Sequence, residues 1–207
     1  MTTRDSGGRR GHAAPPQAQF ALDGFAPNVP TDNLFFAIFP HSTAQARIAD
    51  VARETGARHA LRGDPLRTDR FHITLLHLGD HAGVPPDIVA GATRAAAQID
   101  ATVFDVVFDR VGSFAGGASK PCVLLGPDGD SPLRDFQRAL CARLAAVGLG
   151  RYVRRDFTPH VTLRYAEVSL PAEAVAPVRW SVREFVLVDS LAGQTEYRIL
   201  GRWPLRD

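Results

Sequence analysis

Apolar positions change period several times along the chain, and each change marks an element. Residues 34–39 form a continuous apolar run stopped by Pro40, the pattern of a central strand buried on both faces. Ser42 with Gln45 has capping-box spacing and opens a helix whose inner stripe is Ala44, Ile48 and Val51. Residues 57–69 read as a polar loop, and a strand follows over about 70–78, ending at Gly79-Asp80. Pro85-Pro86-Asp87 starts a second helix with Ile88, Ala92, Ala95 and Ile99 on one face. Residues 102–111 alternate with period two, and Cys122 to Leu125 pairs back after a loop with Gly116-Gly117 at its tip. Ser131-Pro132 caps a third helix striped by Leu133, Phe136, Leu140, Leu144 and Val147, with Gly148 at its end. A loop holding Arg151, Arg154 and Arg155 leads to a strand over 160–166. Beyond a link punctuated by Pro171 and Pro177, two strands are expected, over 180–190 and 195–203.

Helices mixed with hairpin-linked strands predict an α+β fold with mainly antiparallel sheets. The 207 residues suit one domain, expected over 31–207. Residues 1–30, rich in Gly, Ala, Pro and Arg without periodicity, are expected to be a flexible tail. The net charge of +2 excludes a strong whole-molecule field for nucleic acid, so any basic surface is local. Arginine would carry it, because Lys120 is the single lysine. Cys122 and Cys141 lack metal spacing and read as buried thiols of a reducing compartment. No run approaches the roughly 18 apolar residues of a membrane span, and no signal-peptide core is present. A cytoplasmic monomer is the expectation.

Chemistry enters through one repeated pattern, His72-Ile73-Thr74-Leu75 and His160-Val161-Thr162-Leu163. Composition alone predicts roughly 0.004 such tetrads per chain, so two are something like a one in 10⁵ event. In a strand, residues i and i+2 share a face. His72 and Thr74 therefore point one way, as do His160 and Thr162, while Ile73, Leu75, Val161 and Leu163 point into a core. The same parity puts Arg164 on the face of His160 and turns His77 away from His72. With no acidic cluster beside His77 or His81, neither a metal nor a cofactor is expected.

Taken with its flanks, the pattern resembles the 2H phosphoesterase superfamily, and within it the LigT-like RNA 2′,3′-cyclic phosphodiesterases, also called 2′-5′ RNA ligases. The matching pieces are Leu34-Phe35-Phe36-Ala37-Ile38, Phe71 through Leu75 with Leu78-Gly79-Asp80, Val111-Gly112-Ser113-Phe114, Phe157 through Leu163, Tyr197 and Trp203-Pro204-Leu205. The resemblance implies two pseudo-symmetric lobes, each a mainly antiparallel sheet with outer helices, around a central cleft. It implies metal-independent hydrolysis of RNA 2′,3′-cyclic phosphate ends to 2′-phosphates, with 2′-5′ ligation as the reverse. His72 would be the acid and His160 the base, with Thr74 and Thr162 binding phosphoryl oxygens. Family members commonly carry an arginine five residues after the second histidine; here that position is Tyr165. Either Arg164 substitutes as the phosphate ligand, which is the expectation, or it is a surface arginine and Tyr165 alters substrate choice. Alternative substrates are small cyclic nucleotides, 2′-5′ oligonucleotides and ADP-ribose cyclic phosphate, and the alternative class is a nucleotide- or RNA-binding module without turnover. Phe35, Phe36 and Phe157 could stack on a base, although core packing is the simpler expectation.

Overall fold

The computed structural model describes residues 29–114, 120–129, 131–154, 156–194 and 196–207. The expected tail lies outside the described residues except for Val29 and Pro30, as do Gly116, Gly117 and Arg155. Eight strands and three helices follow in the order β1 (Asp32–Ile38), α1 (Ser42–Arg58), β2 (Ile73–His81), α2 (Pro86–Ala96), β3 (Phe104–Ser113), β4 (Lys120–Leu125), α3 (Pro132–Leu144), β5 (His160–Ala166), β6 (Glu173–Val182), β7 (Glu184–Leu191) and β8 (Tyr197–Pro204).

The strands form two open four-stranded sheets, ordered β2-β1-β7-β8 and β5-β4-β3-β6, with every neighbouring pair antiparallel. Each sheet carries one motif strand, β2 or β5, at its edge. The units β1-α1-β2 and β4-α3-β5 are equivalent, which makes the α+β molecule two pseudo-symmetric lobes. The helices tie the lobes together: α1 lies against β5 and β6 of the second sheet, and α3 reaches β2 of the first.

β1 is buried on both faces, as its continuous apolar run requires. Leu34, Phe36 and Ile38 enter the main core, while Phe35 and Ala37 join Val186 and Val188 in a smaller apolar patch on the opposite face. Phe39, Tyr197 and Ile199 pack on that patch. Ser131 caps α3 by accepting from the Arg134 N–H, with Pro132 at the first helical position. No helix among the described residues is long and apolar enough to cross a membrane.

Two expected boundaries move. His41, not Ser42, caps α1: its Nδ1 accepts from the Ala44 N–H at 3.4 Å, while the Gln45 amide donates to the Pro40 carbonyl. The expected strand over 180–190 is two strands broken at Arg183, one in each sheet, and the link before it already belongs to β6. The inward residues Val178, Trp180 and Val182 keep period two, but the next buried aromatic, Phe185, comes three later. That slip of parity is where the chain crosses between lobes. Pro177 is tolerated because β6 is an edge strand.

Candidate active site

The two motifs fold as their alternation predicts. Ile73, Leu75, Val161 and Leu163 are at most 2% exposed, and His72, Thr74, His160 and Thr162 are half-buried on the other side. Each histidine is anchored the same way. His72 Nδ1 lies 2.8 Å from the Arg70 carbonyl, and His160 Nδ1 lies 2.8 Å from the Thr158 carbonyl. A carbonyl only accepts, so Nδ1 must carry the proton and Nε2 is left to do chemistry. Neutral, Nε2 takes a proton; charged, it gives one.

Aromatic rings fix both imidazoles. The Phe35 and Phe39 rings lie 5.2 and 5.8 Å from His72, and Tyr197 meets it edge-on at 5.4 Å. Phe114 meets His160 edge-on at 4.8 Å. Arg70 lies over the Tyr197 ring, its guanidinium carbon 3.7 Å from the centroid. A cavity of about 680 Å³ is lined by His72, Thr74, His77, Tyr165, Arg70 and Tyr197. A second, of about 360 Å³, is lined by His160, Phe114, Phe157, Arg154 and Gln137. Thr74 and His77 line both, so the two form one cleft with a histidine in each half. Thr162 shares the face of His160 but lines neither cavity.

Burial pushes the His72 imidazole down to about 4, against the pull of its Arg70 carbonyl. The charges of Arg70 and a protonated His160 push the same way, so the two rings lie within electrostatic reach. Burial lowers His160 as well. Burial raises the Tyr197 phenol, which Arg70 lowers and Tyr165 raises further. Burial therefore favours the neutral form of both histidines near pH 7.

The structure corrects the parity argument beyond the threonines. Along β1 and β2 the partner of Phe36 is Leu76 and that of Ala37 is Thr74, leaving Leu75 as an extra residue. Along β4 and β5, Cys122 faces Arg164 and Val123 faces Thr162, leaving Leu163 extra. Each motif strand thus bulges three residues after its histidine, and alternation reverses downstream. Leu76 and Arg164 turn inward and are buried, whereas His77 and Tyr165 turn to the cleft. Arg164, expected on the phosphate, is 4% exposed and donates to the Gly63 and Ala52 carbonyls at 2.9 and 3.0 Å. It ties β5 to α1 and to the loop that follows it. His77, expected on the wrong face, lines the cleft, with its Nε2 3.6 Å from Asp80. Phe36 is core, while Phe35 packs under His72 and Phe157 lines the His160 half of the cleft.

Sequence reasoning gives no role to Arg70 or Gln137. Gln137, 6% exposed on α3, donates to the Leu75 carbonyl and so holds the bulge of β2. A polar residue within a helix's buried stripe is the available signal for it. Among the described residues, no group of three or more His, Cys, Asp or Glu side chains could hold a metal ion.

The fold has counterparts among known proteins. The E. coli LigT apo structure is 26% identical and superposes with a TM-score of 0.66, covering 86% of this chain and 99% of that one. E. coli LigT in complex with NADP+ is 26% identical with a TM-score of 0.62 and the same coverage. TT0787 of Thermus thermophilus, at 22% identity and a TM-score of 0.64, covers 84% of this chain and 98% of its own, and shows the fold alone. No curated protein matches the chain. The family model of the 2′-5′ RNA ligase superfamily matches residues 33–194, a span that holds both motif strands and their bulges. With that match and the LigT-like architecture, the chain belongs to the 2′-5′ RNA ligase superfamily, as a LigT-like 2H phosphoesterase.

Proposed function

We propose that the protein is a phosphodiesterase that opens the 2′,3′-cyclic phosphate at an RNA end to a 2′-phosphate. The observation that carries this reading is the matched pair of Nδ1-anchored imidazoles, one in each half of a single cleft. Two Nε2 atoms on opposite sides of phosphorus suit in-line displacement. By the assignment that the family suggests, His160 Nε2 takes a proton from water as its oxygen bonds to phosphorus. The bond from phosphorus to the ribose 3′-oxygen breaks, and His72 Nε2–H protonates that oxygen. Run backwards, the same steps close a 2′-phosphate to the cyclic ester and release water; with a ribose 5′-hydroxyl attacking in place of water, the forward steps give a 2′-5′ link and free the 3′-hydroxyl. Thr74, and Thr162 on the matching face, supply hydroxyl donors for the non-bridging oxygens, where charge grows in the transition state.

His72 must be protonated to act as the acid, yet burial favours its neutral form. A bound phosphodiester anion favours the imidazolium, so proton uptake accompanies substrate binding. E. coli LigT has been solved with NADP+ and with ATP, which supports a nucleotide occupant for the homologous cleft here.

The test is incubation with 2′,3′-cyclic-phosphate-ended RNA and with 2′,3′-cyclic mononucleotides in EDTA. Turnover to a 2′-phosphate end is expected. Failure on both substrates removes the proposal, and a 3′-phosphate product reverses the placement of the leaving group. Preference for the mononucleotide would shift the substrate class to small cyclic nucleotides.

A further inference from the structure

The positions five residues after the motif histidines, His77 and Tyr165, form a second matched pair. Each is brought to the cleft by the bulge in its own strand. His77 lines both halves of the cleft, and Tyr165, from the lobe of His160, lines the half that holds His72. Tyr165 is 62% exposed, one of three large exposed hydrophobic residues among those described. An aromatic ring left this open inside a cavity wall is surface available to a flat apolar partner. The opposite wall carries Phe35 and Tyr197, with Arg70 over the Tyr197 ring.

On the reading of the cleft as a nucleotide phosphodiester site, we infer that Tyr165 is its specificity-determining residue, the platform on which the substrate's nucleobase stacks. A guanidinium at this position would grip phosphate charge and ignore the base. A phenol ring has no such charge and instead discriminates substrates that carry a base. Stacking is tolerant of which base it meets, because every base offers a π-face. The chemical class selected is therefore a nucleoside phosphodiester or monophosphate, against a bare sugar phosphate. Phosphate charge then falls to groups already in the cleft, among them Arg70, His72 and His77.

Calorimetric titration with 2′-AMP and with 1-O-methylribose 2-phosphate tests this. Both present the same phosphate, and only the first has a base. Tyr165→Ala should weaken 2′-AMP by about 5- to 150-fold, the range of one base–aromatic stack, and leave the sugar phosphate unchanged. Tyr165→Phe should keep wild-type binding of both. Tyr165→Arg should gain affinity for the sugar phosphate and narrow the difference between the two ligands. Equal weakening of both ligands in Tyr165→Ala, or no change in either, overturns the stacking role. Loss in Tyr165→Phe as large as in Tyr165→Ala transfers the role to the hydroxyl and overturns it too. If the wild type binds neither ligand, the reading of the cleft itself fails and Tyr165 falls with it.

Discussion

Replacing His72 by Gln should make the protein less sensitive to acid, and the size of the effect can be worked out. In the unfolded chain the imidazole titrates near its ordinary 6.5; in the fold, burial moves it down to about 4. The folded state therefore refuses a proton that the unfolded state accepts. The contribution to stability is full above pH 6.5 and is lost as pH falls towards the folded value. At about 1.4 kcal/mol per unit the whole shift corresponds to roughly 3 kcal/mol, of which about 2.5 is lost by pH 4.5. Asp32, Asp69, Asp128 and Glu173 also sit below their ordinary values and destabilise the fold in acid. Their share is common to wild type and variant and cancels in the difference. The assay is urea unfolding of both proteins at pH 7.5 and pH 4.5. The wild type should lose about 2.5 kcal/mol more than His72→Gln between the two. Equal losses would show that His72 is not desolvated, and that the wall built on it by Phe35, Phe39 and Tyr197 is wrong.

His72→Ala and His160→Ala should each lower turnover by about 10²- to 10⁴-fold while far-ultraviolet dichroism stays native, and near-full activity in either would remove it from the mechanism. On a nucleoside 2′-(p-nitrophenyl) phosphate, whose leaving phenolate needs no proton, His72→Ala should recover most of its lost rate and His160→Ala should not; the opposite pattern would exchange acid and base. Arg164→Met should cost about 3 kcal/mol of stability by leaving the Ala52 and Gly63 carbonyls without their buried donor, and should leave KM unchanged. A raised KM with unchanged unfolding would return Arg164 to the phosphate.

The elements and the two histidines are legible in the sequence because both depend on local pattern. The continuous run of β1, the stripe of α3 and the tetrads around His72 and His160 each need only a few neighbouring residues to read. What fails is parity carried past an irregularity. Leu75 and Leu163 look like ordinary inward residues, yet each is the extra residue of a bulge, so simple alternation puts His77, Arg164 and Tyr165 on the wrong faces. A bulge is set by pairing with β1 or β4 and by a helix from elsewhere in the chain, as the Gln137 bond to the Leu75 carbonyl shows. Nothing within the strand's own sequence encodes it. The break at Arg183 is the opposite case: the three-residue step from Val182 to Phe185 is visible in the sequence, although a single strand over 180–190 ignores it.

The proposed mechanism requires two imidazoles from different lobes to hold one phosphorus between their Nε2 atoms. It is tested most directly by ¹⁵N-histidine NMR during titration with 2′-AMP. The Nε2 signals of His72 and His160 should both move, along one shared isotherm, while both Nδ1 atoms remain protonated on their carbonyls. A nucleotide that binds and shifts only one of the two rings, or neither, would contradict it.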